Sequence, residues 1–179
     1  MDKGYFREDV IAYLISNEVD PLPEKSPLRT GAASRRLRMV EVGTNEGSFA
    51  IAILSIVPDV SLVVVDAFDT IDVGYKNNTP DRAIDQLLPY RPCVMFLITT
   101  SADASSMIAD KSMDLIFIDG DYAYEGVNDD IALWTPKLRD GGILSGHDYD
   151  DSLHPAVVRA VNELVDRTTL TLHLGPDSI

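Results

Sequence analysis

Three aspartates and one histidine, held in two short stretches, carry the densest chemistry of this chain. Asp119 and Asp121 lie in Ile118-Asp119-Gly120-Asp121-Tyr122; His147 and Asp148 lie in Gly146-His147-Asp148-Tyr149. Each stretch follows an apolar run, Leu115–Ile118 and Ile143–Leu144. If those runs are neighbouring parallel strands, Asp119 and Asp148 project into one space. Two carboxylates that converge repel each other unless a cation or a shared proton sits between them. Hard divalent cations such as Mg²⁺ take oxygen donors of this kind and keep several waters. The plainer alternative is that Asp148 caps a turn while His147 fills a polar niche.

A second group of polar residues follows earlier apolar runs. Met39–Val42 leads into Gly43-Thr44-Asn45-Glu46-Gly47-Ser48, with Glu41 two residues before the first glycine. Two glycines around small polar residues let the backbone turn sharply and approach a ligand, and the amides at the start of a following helix lack intrahelical acceptors. The G-x-G-x-x-G spacing of a nicotinamide fingerprint is absent. A carboxylate at Glu41 suits an ammonium or sulfonium charge better than a pyrophosphate. Leu62–Val65 ends at Asp66, where an acid can accept from both hydroxyls of a ribose; Ala67 and Phe68 follow, the ring fit to cover an adenine or to pack. Val94–Ile98 runs on to Ser101-Ala102-Asp103, whose polar groups can meet an adenine amino group, with Asp103 equally suited to cap a helix. Tyr75 and Lys76-Asn77-Asn78 stand in a loop that can line an acceptor pocket.

The elements that must position these residues follow from periodicity. The apolar runs, with Leu170–Leu174 as the sixth, mostly lack polar alternation, as expected of strands covered on both faces of a parallel sheet. Helical spacing recurs between them: Ala50, Leu54 and Val57; Ile84, Leu87 and Leu88 after Thr79-Pro80; Val127, Ile131, Trp134 and Leu138, ending at Gly141-Gly142; and Val157, Val161, Leu164 and Val165. The expected fold is a doubly wound, mostly parallel α/β sheet with helices on both faces, whose ligands bind at the carboxyl ends of the strands. Residues 1–37 are read as an amphipathic helix over Phe6–Val19 and a Pro-rich linker with Pro21, Pro23 and Pro27, part of the same domain as 38–179. Arg35, Arg36 and Arg38 read as a solvated edge before the first run.

Bulk composition narrows the partners. The formal net charge is −14, which repels phosphate backbones and anionic lipid, so neither nucleic acid nor a membrane surface is an expected partner. No run of about 18 apolar residues occurs. Cys93 is the single cysteine, which excludes an internal disulfide and fits a small buried hydrophobe. No signal-peptide core is visible, and the expected compartment is the cytoplasm.

Two longer stretches carry a resemblance. Phe117-Ile118-Asp119-Gly120-Asp121-Tyr122-Ala123-Tyr124-Glu125-Gly126-Val127, and Ile131 to Asp148 with Trp134, Pro136, Leu138, Gly141, Gly142, Gly146, His147 and Asp148, resemble the class I S-adenosylmethionine-dependent methyltransferases. More narrowly, they are similar to the small O-methyltransferase-like domains (methyltransferase domain family 24 type), over about residues 38 to 174. The resemblance implies a Rossmann-like methyltransferase fold, S-adenosylmethionine as methyl donor and a small hydroxylated acceptor. It implies that Glu41, Gly43, Gly47, Asp66 and Asp103 line the cofactor site; the strand-end reading adds Thr44, Asn45, Ser48, Ala67, Phe68, Ser101, Ala102 and Asp119. In metal-dependent members the matching aspartates, Asp119 and Asp148, hold Mg²⁺, which makes an acceptor hydroxyl easier to deprotonate. The family usually has His after Gly-Asp where this chain has Tyr122, a poor base at an ordinary pKa of about 10; Tyr122, His147 and Asp119 are the catalytic candidates. The family fold usually closes with an antiparallel strand after the sixth. Only residues 175–179 follow Leu174, so that strand is expected to be missing or truncated, leaving an edge for a homo-oligomer to cover. A non-catalytic nucleoside-binding or interaction domain and a nicotinamide oxidoreductase are the competing readings; acceptor contacts are expected from residues 1–37, 69–79 and 149–154.

Overall fold

A computed structural model describes residues 12–16, 36–57, 59–68 and 80–174. Its elements are β1 (Ala12–Ser16), β2 (Leu37–Val42), α1 (Ser48–Ile56), β3 (Val60–Asp66), α2 (Pro80–Leu87), β4 (Val94–Ile98), α3 (Ser101–Met107), β5 (Met113–Ile118), α4 (Tyr124–Trp134), β6 (Leu138–Gly146), α5 (Pro155–Arg167) and β7 (Leu170–Leu174). They build one seven-stranded sheet in the order β4-β3-β2-β5-β6-β1-β7. The pairs β2–β3, β2–β5, β3–β4 and β5–β6 are parallel. This is the expected doubly wound arrangement. The chain order reverses between β2 and β5, and the strand ends flanking that switch point are where a ligand crevice forms.

Both faces are covered, which explains the continuous apolar runs. On one face Val40, Val42, Val63, Val65, Ile116 and Leu144 pack against Ala104 of α3, Val127, Ile131 and Trp134 of α4, and Val157 and Ala160 of α5. On the other, Met39, Val60, Leu62, Val64 and Phe117 pack against Ala50 of α1 and Leu87 of α2. Alternate β2 residues serve opposite faces, as strand geometry requires. Trp134 is fully buried; its Nε1 donates to Ser101 Oγ at 2.8 Å, and Ser101 Oγ donates to Asp130, tying α4 to the start of α3.

Three expectations are corrected. The helix over Phe6–Val19 is not formed at residues 12–16, which make a strand antiparallel to both neighbours: Ala12 pairs with Gly146 and Leu174, and Leu14 with Leu144 and Leu172. Two rows of strand-edge donors and acceptors outweigh a helical pattern that a strand accommodates as well. The antiparallel strand next to β6 and β7 thus comes from the amino-terminal side, and no strand follows Leu174 among the described residues. Secondly, the helix read from Val127 to Leu138 stops at Trp134. Pro136, lacking an amide hydrogen, sits in a 3₁₀ turn over Thr135–Lys137, and Leu138 already begins β6, which runs through Gly141-Gly142. Thirdly, Leu88 lies in a 3₁₀ turn with Pro89 and is exposed rather than core. Arg38 is also more than a solvated edge: its amide and guanidinium, with Arg139, hold buried Asp114 at the far ends of the strands. Cys93 is half-buried and unpaired by disulfide. No helix of the described residues is long and apolar enough to cross a membrane.

Candidate functional site

The site is built along the carboxyl ends of β2, β3, β5 and β6. Glu41, next to last in β2, stands between Val64 and Phe117 on its two neighbours and is 1% exposed. Its Oε2 has no hydrogen-bond partner among the described residues. Burial, and next the nearby charge of Asp119, push the Glu41 carboxyl well above the usual range, against the Thr44 hydroxyl and Ala50 amide that pull it down. An unsatisfied buried carboxylate is costly, and either a bound proton or a cationic ligand would relieve it.

Beyond β2 the chain makes a tight left-handed turn. Gly43, Asn45 and Gly47 all have positive φ, at 89°, 47° and 85°. A Cβ on Gly43 would lie 2.0 Å from the Asp119 carbonyl oxygen, so only glycine lets this turn press against the end of β5. Gly43 and Thr44 amides donate to the Val65 carbonyl at 2.9 and 3.3 Å. The Asn45 amide donates to Asp66 Oδ2 at 2.7 Å and the Phe68 amide to Asp66 Oδ1 at 2.8 Å. Asp66 thus knits the two loops together, its carboxylate keeping further lone pairs for a ribose. Ser48 is exposed at the start of α1, whose preceding Gly47 offers no side-chain cap. Ala67 and Phe68 are half-buried beside Asp66.

One strand further out, Ser101, Ala102 and Asp103 form the first turn of α3, a helix that the sequence reading touches only through a possible cap at Asp103. Thr100 is its cap, its hydroxyl accepting from the Asp103 amide at 3.2 Å, so the capping role read for Asp103 belongs to Thr100. Asp103 and Ala102 are exposed, whereas the Ser101 hydroxyl turns inward to Asp130 and Trp134. Burial first, with the Asp121 and Asp129 charges, raises the Asp130 carboxyl, while the hydrogen bond from Ser101 lowers it.

The two aspartates meet as expected. The Asp119 amide donates to the Val42 carbonyl and the His147 amide to the Ile118 carbonyl, which fixes the first loop start beside β2 and the second beside β5. His147 Nδ1 lies 3.1 Å from Asp148 Oδ1 and 3.7 Å from Asp119 Oδ1. The ligand atoms of Asp119, His147 and Asp148 all lie within 4.8 Å of one another, each side chain half-buried. Asp148 adopts φ of 60°, uncommon for a residue with a side chain and concentrated at functional sites. Asp121 is turned away, its Oδ1 accepting from the Ala123 amide at 2.8 Å before α4. Tyr122 is about half exposed, its ring 5.0 Å from that of His154.

Two contributors are not singled out by the sequence reading. His154, last of the 149–154 loop expected to contact an acceptor and just before Pro155 at the start of α5, brings Nε2 to 3.5 Å from Asp148 Oδ1; its position between the β6 strand end and a proline-started helix was the available signal. Phe49 stacks on Phe117 at 3.7 Å beneath the site, a contact between distant segments that no local pattern announces.

A strand-end crevice holding a buried carboxylate with one oxygen unpartnered among the described residues, a glycine turn and a tight acidic cluster is the layout of nucleoside-binding α/β proteins of the methyltransferase class. A family model described as a methyltransferase domain matches residues 40–149, and the chain belongs to that family; it is an S-adenosylmethionine-dependent methyltransferase. This displaces the nicotinamide oxidoreductase reading. Solved structures agree at the level of fold. A protein from Corynebacterium glutamicum superposes with a TM-score of 0.56 at 17% identity over 75% of this chain and 69% of that one. The O-methyltransferase NovP gives 0.52 at 23% identity over 73% and 63%. A Staphylococcus aureus protein described as a candidate caffeoyl-CoA O-methyltransferase gives 0.51 at 20% identity over 74% and 60%. The chain thus spans somewhat over six tenths of NovP and six tenths of the Staphylococcus aureus protein. No curated protein matches the chain.

Proposed function

We propose that this methyltransferase acts on the hydroxyl of a small acceptor, assisted by a divalent cation held by Asp119 and Asp148. The observation that carries the reading is the convergence of Asp119, His147 and Asp148 within 4.8 Å, next to the glycine turn that Asp119 touches through its backbone. The chain's residues fit the donor molecule: Glu41 presents a buried, unpartnered carboxylate oxygen suited to a cationic group, and Asp66 keeps acceptor capacity for a ribose. They also fit a divalent ion. Two carboxylates are the donors Mg²⁺ prefers, and the imidazole of His147 widens the choice to ions that accept nitrogen, such as Mn²⁺.

When bound, S-adenosylmethionine supplies an electrophilic methyl, whose transfer forms a carbon–oxygen bond as the carbon–sulfur bond breaks onto sulfur and the hydroxyl proton departs. A cation at Asp119 and Asp148 supplies Lewis acidity that favours the alkoxide form of the acceptor. The protein's own work is positioning: the Gly43–Gly47 turn sets one reactant and the β5 and β6 ends the other, and alignment of two bound reactants accounts for much of such a rate enhancement. His147 and Tyr122 stand where an acceptor proton can be received; His147 is the better suited of the two.

The test is calorimetry followed by turnover. S-adenosylmethionine or S-adenosylhomocysteine should bind in the micromolar range, and well-folded protein that binds neither would overturn the reading. Asp119→Ala and Asp148→Ala should each abolish stimulation by Mg²⁺ or Mn²⁺, lowering turnover by about 100-fold while leaving donor binding largely intact. Full activity in both variants would exclude the metal. The exposed Tyr122, standing where the family resemblance implies His, favours one other reading, a nucleoside-binding domain without turnover; it predicts donor binding and no methylated product with any acceptor.

A further inference from the structure

The helix α3 has little apolar anchorage. Of its seven residues only Ala104 and Ser105 are buried. The amides of Asp103 and Ala104 are taken by the Thr100 hydroxyl and carbonyl, at 3.2 and 2.9 Å, so neither is left for a ligand. Its first side chain, Ser101, is fixed from α4. The hydroxyl accepts from Trp134 Nε1 at 2.8 Å and donates to Asp130 Oδ1. One proton placed between one donor and one acceptor leaves a hydroxyl a single orientation. Trp134 is fully buried and Asp130 is 6% exposed, so water competes little for either bond. The other carboxylate oxygen, Asp130 Oδ2, stands 3.4 Å from where a Cβ on Gly120 would lie. One buried acid therefore sets the start of α3 relative to the loop that begins at Asp119. Burying an acid is costly, and a tie between two helices needs only neutral groups. Its place between two strand-end loops gives this one a use beyond packing.

We propose that Asp130 is a positioning residue for the nucleobase of the donor: through Ser101 it holds the first turn of α3 so that the Asp103 carboxylate accepts from the adenine amino group, and the site thereby prefers adenine to hypoxanthine. The inference rests on the methyltransferase reading above and adds how its nucleobase is selected. Three observations support it. The Ser101 hydroxyl is used on both sides within the protein, and Ala102 has no polar side chain, so of the three residues at this strand end Asp103 is left to meet the base. Asp103 is exposed, and the cap of α3 is Thr100, so capping does not consume its carboxylate. Asp103 lies two residues from Ser101 in the same turn, so the network that orients one orients the other. A carboxylate only accepts, whereas hypoxanthine carries a carbonyl oxygen where adenine has its amino group. The wrong base then sets acceptor against acceptor, a repulsion that discriminates more sharply than a missing contact.

The experiment is calorimetric titration of the full chain with S-adenosylhomocysteine and, separately, S-inosylhomocysteine, which differ in the base alone. Wild-type protein should prefer the adenine compound by about 10-fold to 100-fold, the worth of one hydrogen bond to a charged acceptor. Asp130→Ala should reduce that preference to about threefold or less, chiefly by weakening the adenine compound. Asp130→Asn keeps an acceptor for Ser101 and should hold the preference within about threefold of wild type. Ser101→Ala deletes the same tie from the other side, so its loss and that of Asp130→Ala should not add in the double variant. Melting curves show which variants fold, and Ser101→Ala carries the prediction if Asp130→Ala does not. A preference that survives in Asp130→Ala or Ser101→Ala overturns the positioning role while the methyltransferase reading stands. So does an equal loss of affinity for both compounds, which marks a merely structural role, or a loss in Asp130→Asn as large as in Asp130→Ala. Wild-type protein that binds both compounds equally overturns the selection of adenine. Folded wild-type protein that binds neither overturns the methyltransferase reading and this inference with it.

Discussion

Individual residues are held here by very different forces, and two of them make separable predictions. Gly43 is fixed by space and by backbone: its φ is 89°, and an added Cβ would fall 2.0 Å from the Asp119 carbonyl oxygen. Gly43→Ala should cost at least about 2 kcal/mol, because the left-handed strain adds to a clash that only separation of β2 from β5 relieves. Thermal unfolding should show a fall of roughly 5 °C or more, and an unchanged melting temperature would contradict the close approach. Asp130 is a buried acid whose carboxyl is raised by burial first and by neighbouring charge, with Ser101 opposing. The folded protein therefore holds this proton more tightly than the unfolded chain does. Its stability contribution is complete below the ordinary carboxyl value of about 3.9 and is lost as pH rises through the elevated one. Asp130→Asn keeps an acceptor for Ser101 and removes the ionisation. Melted from pH 4 to pH 8, the wild-type protein should lose ground to the variant as pH rises; parallel curves would refute the raised carboxyl.

At the scale of elements, β1 has the most consequence. Residues 12–16 sit between β6 and β7, and Ala12 pairs with Gly146, the residue just before His147. A strand flanked on both sides has its amides committed to ladders, so Leu14→Pro should cost on the order of 1–3 kcal/mol through a lost backbone bond. Because β1 borders the end of β6, the same change should also reduce the proposed Mg²⁺-stimulated turnover more than donor binding, which the proposed site places at β2 and β3 across the sheet. Calorimetry and turnover on one sample check both parts, and equal loss of the two would argue against this local effect. The strand also shows the limit of periodicity. Val10, Ile11, Leu14 and Ile15 satisfy a helical stripe and a strand alike, and only the vacancy between two distant strands chooses. The stop of α4 at Trp134 was legible in principle, since Pro136 marks it.

The whole molecule is strongly acidic, at −14. Self-repulsion of that size destabilises the compact state and is screened once the Debye length shrinks from about 30 Å at 0.01 M salt to a few ångströms near 1 M. The melting temperature should therefore rise by a few degrees between roughly 0.01 M and 0.5 M sodium chloride. A flat or falling curve would mean that local ion pairs, such as those of Arg38 and Arg139 with Asp114, outweigh the overall charge.

By itself the sequence determined the layered α/β fold, because apolar runs without alternation can be buried only when both faces of a sheet are covered. It also determined the strand-end positions of Glu41, Gly43, Asp66, Asp119 and Asp148, because such runs end where the chain must turn. Tertiary structure alone decided what stands opposite what. It brought His147 and His154 to Asp148, turned Ser101 inward to Asp130 and Trp134, and left Glu41 Oε2 without a partner among the described residues. Those are relations between segments far apart in the chain. Local propensity carries no information about them, and they are settled only when strand order and helix packing are fixed together.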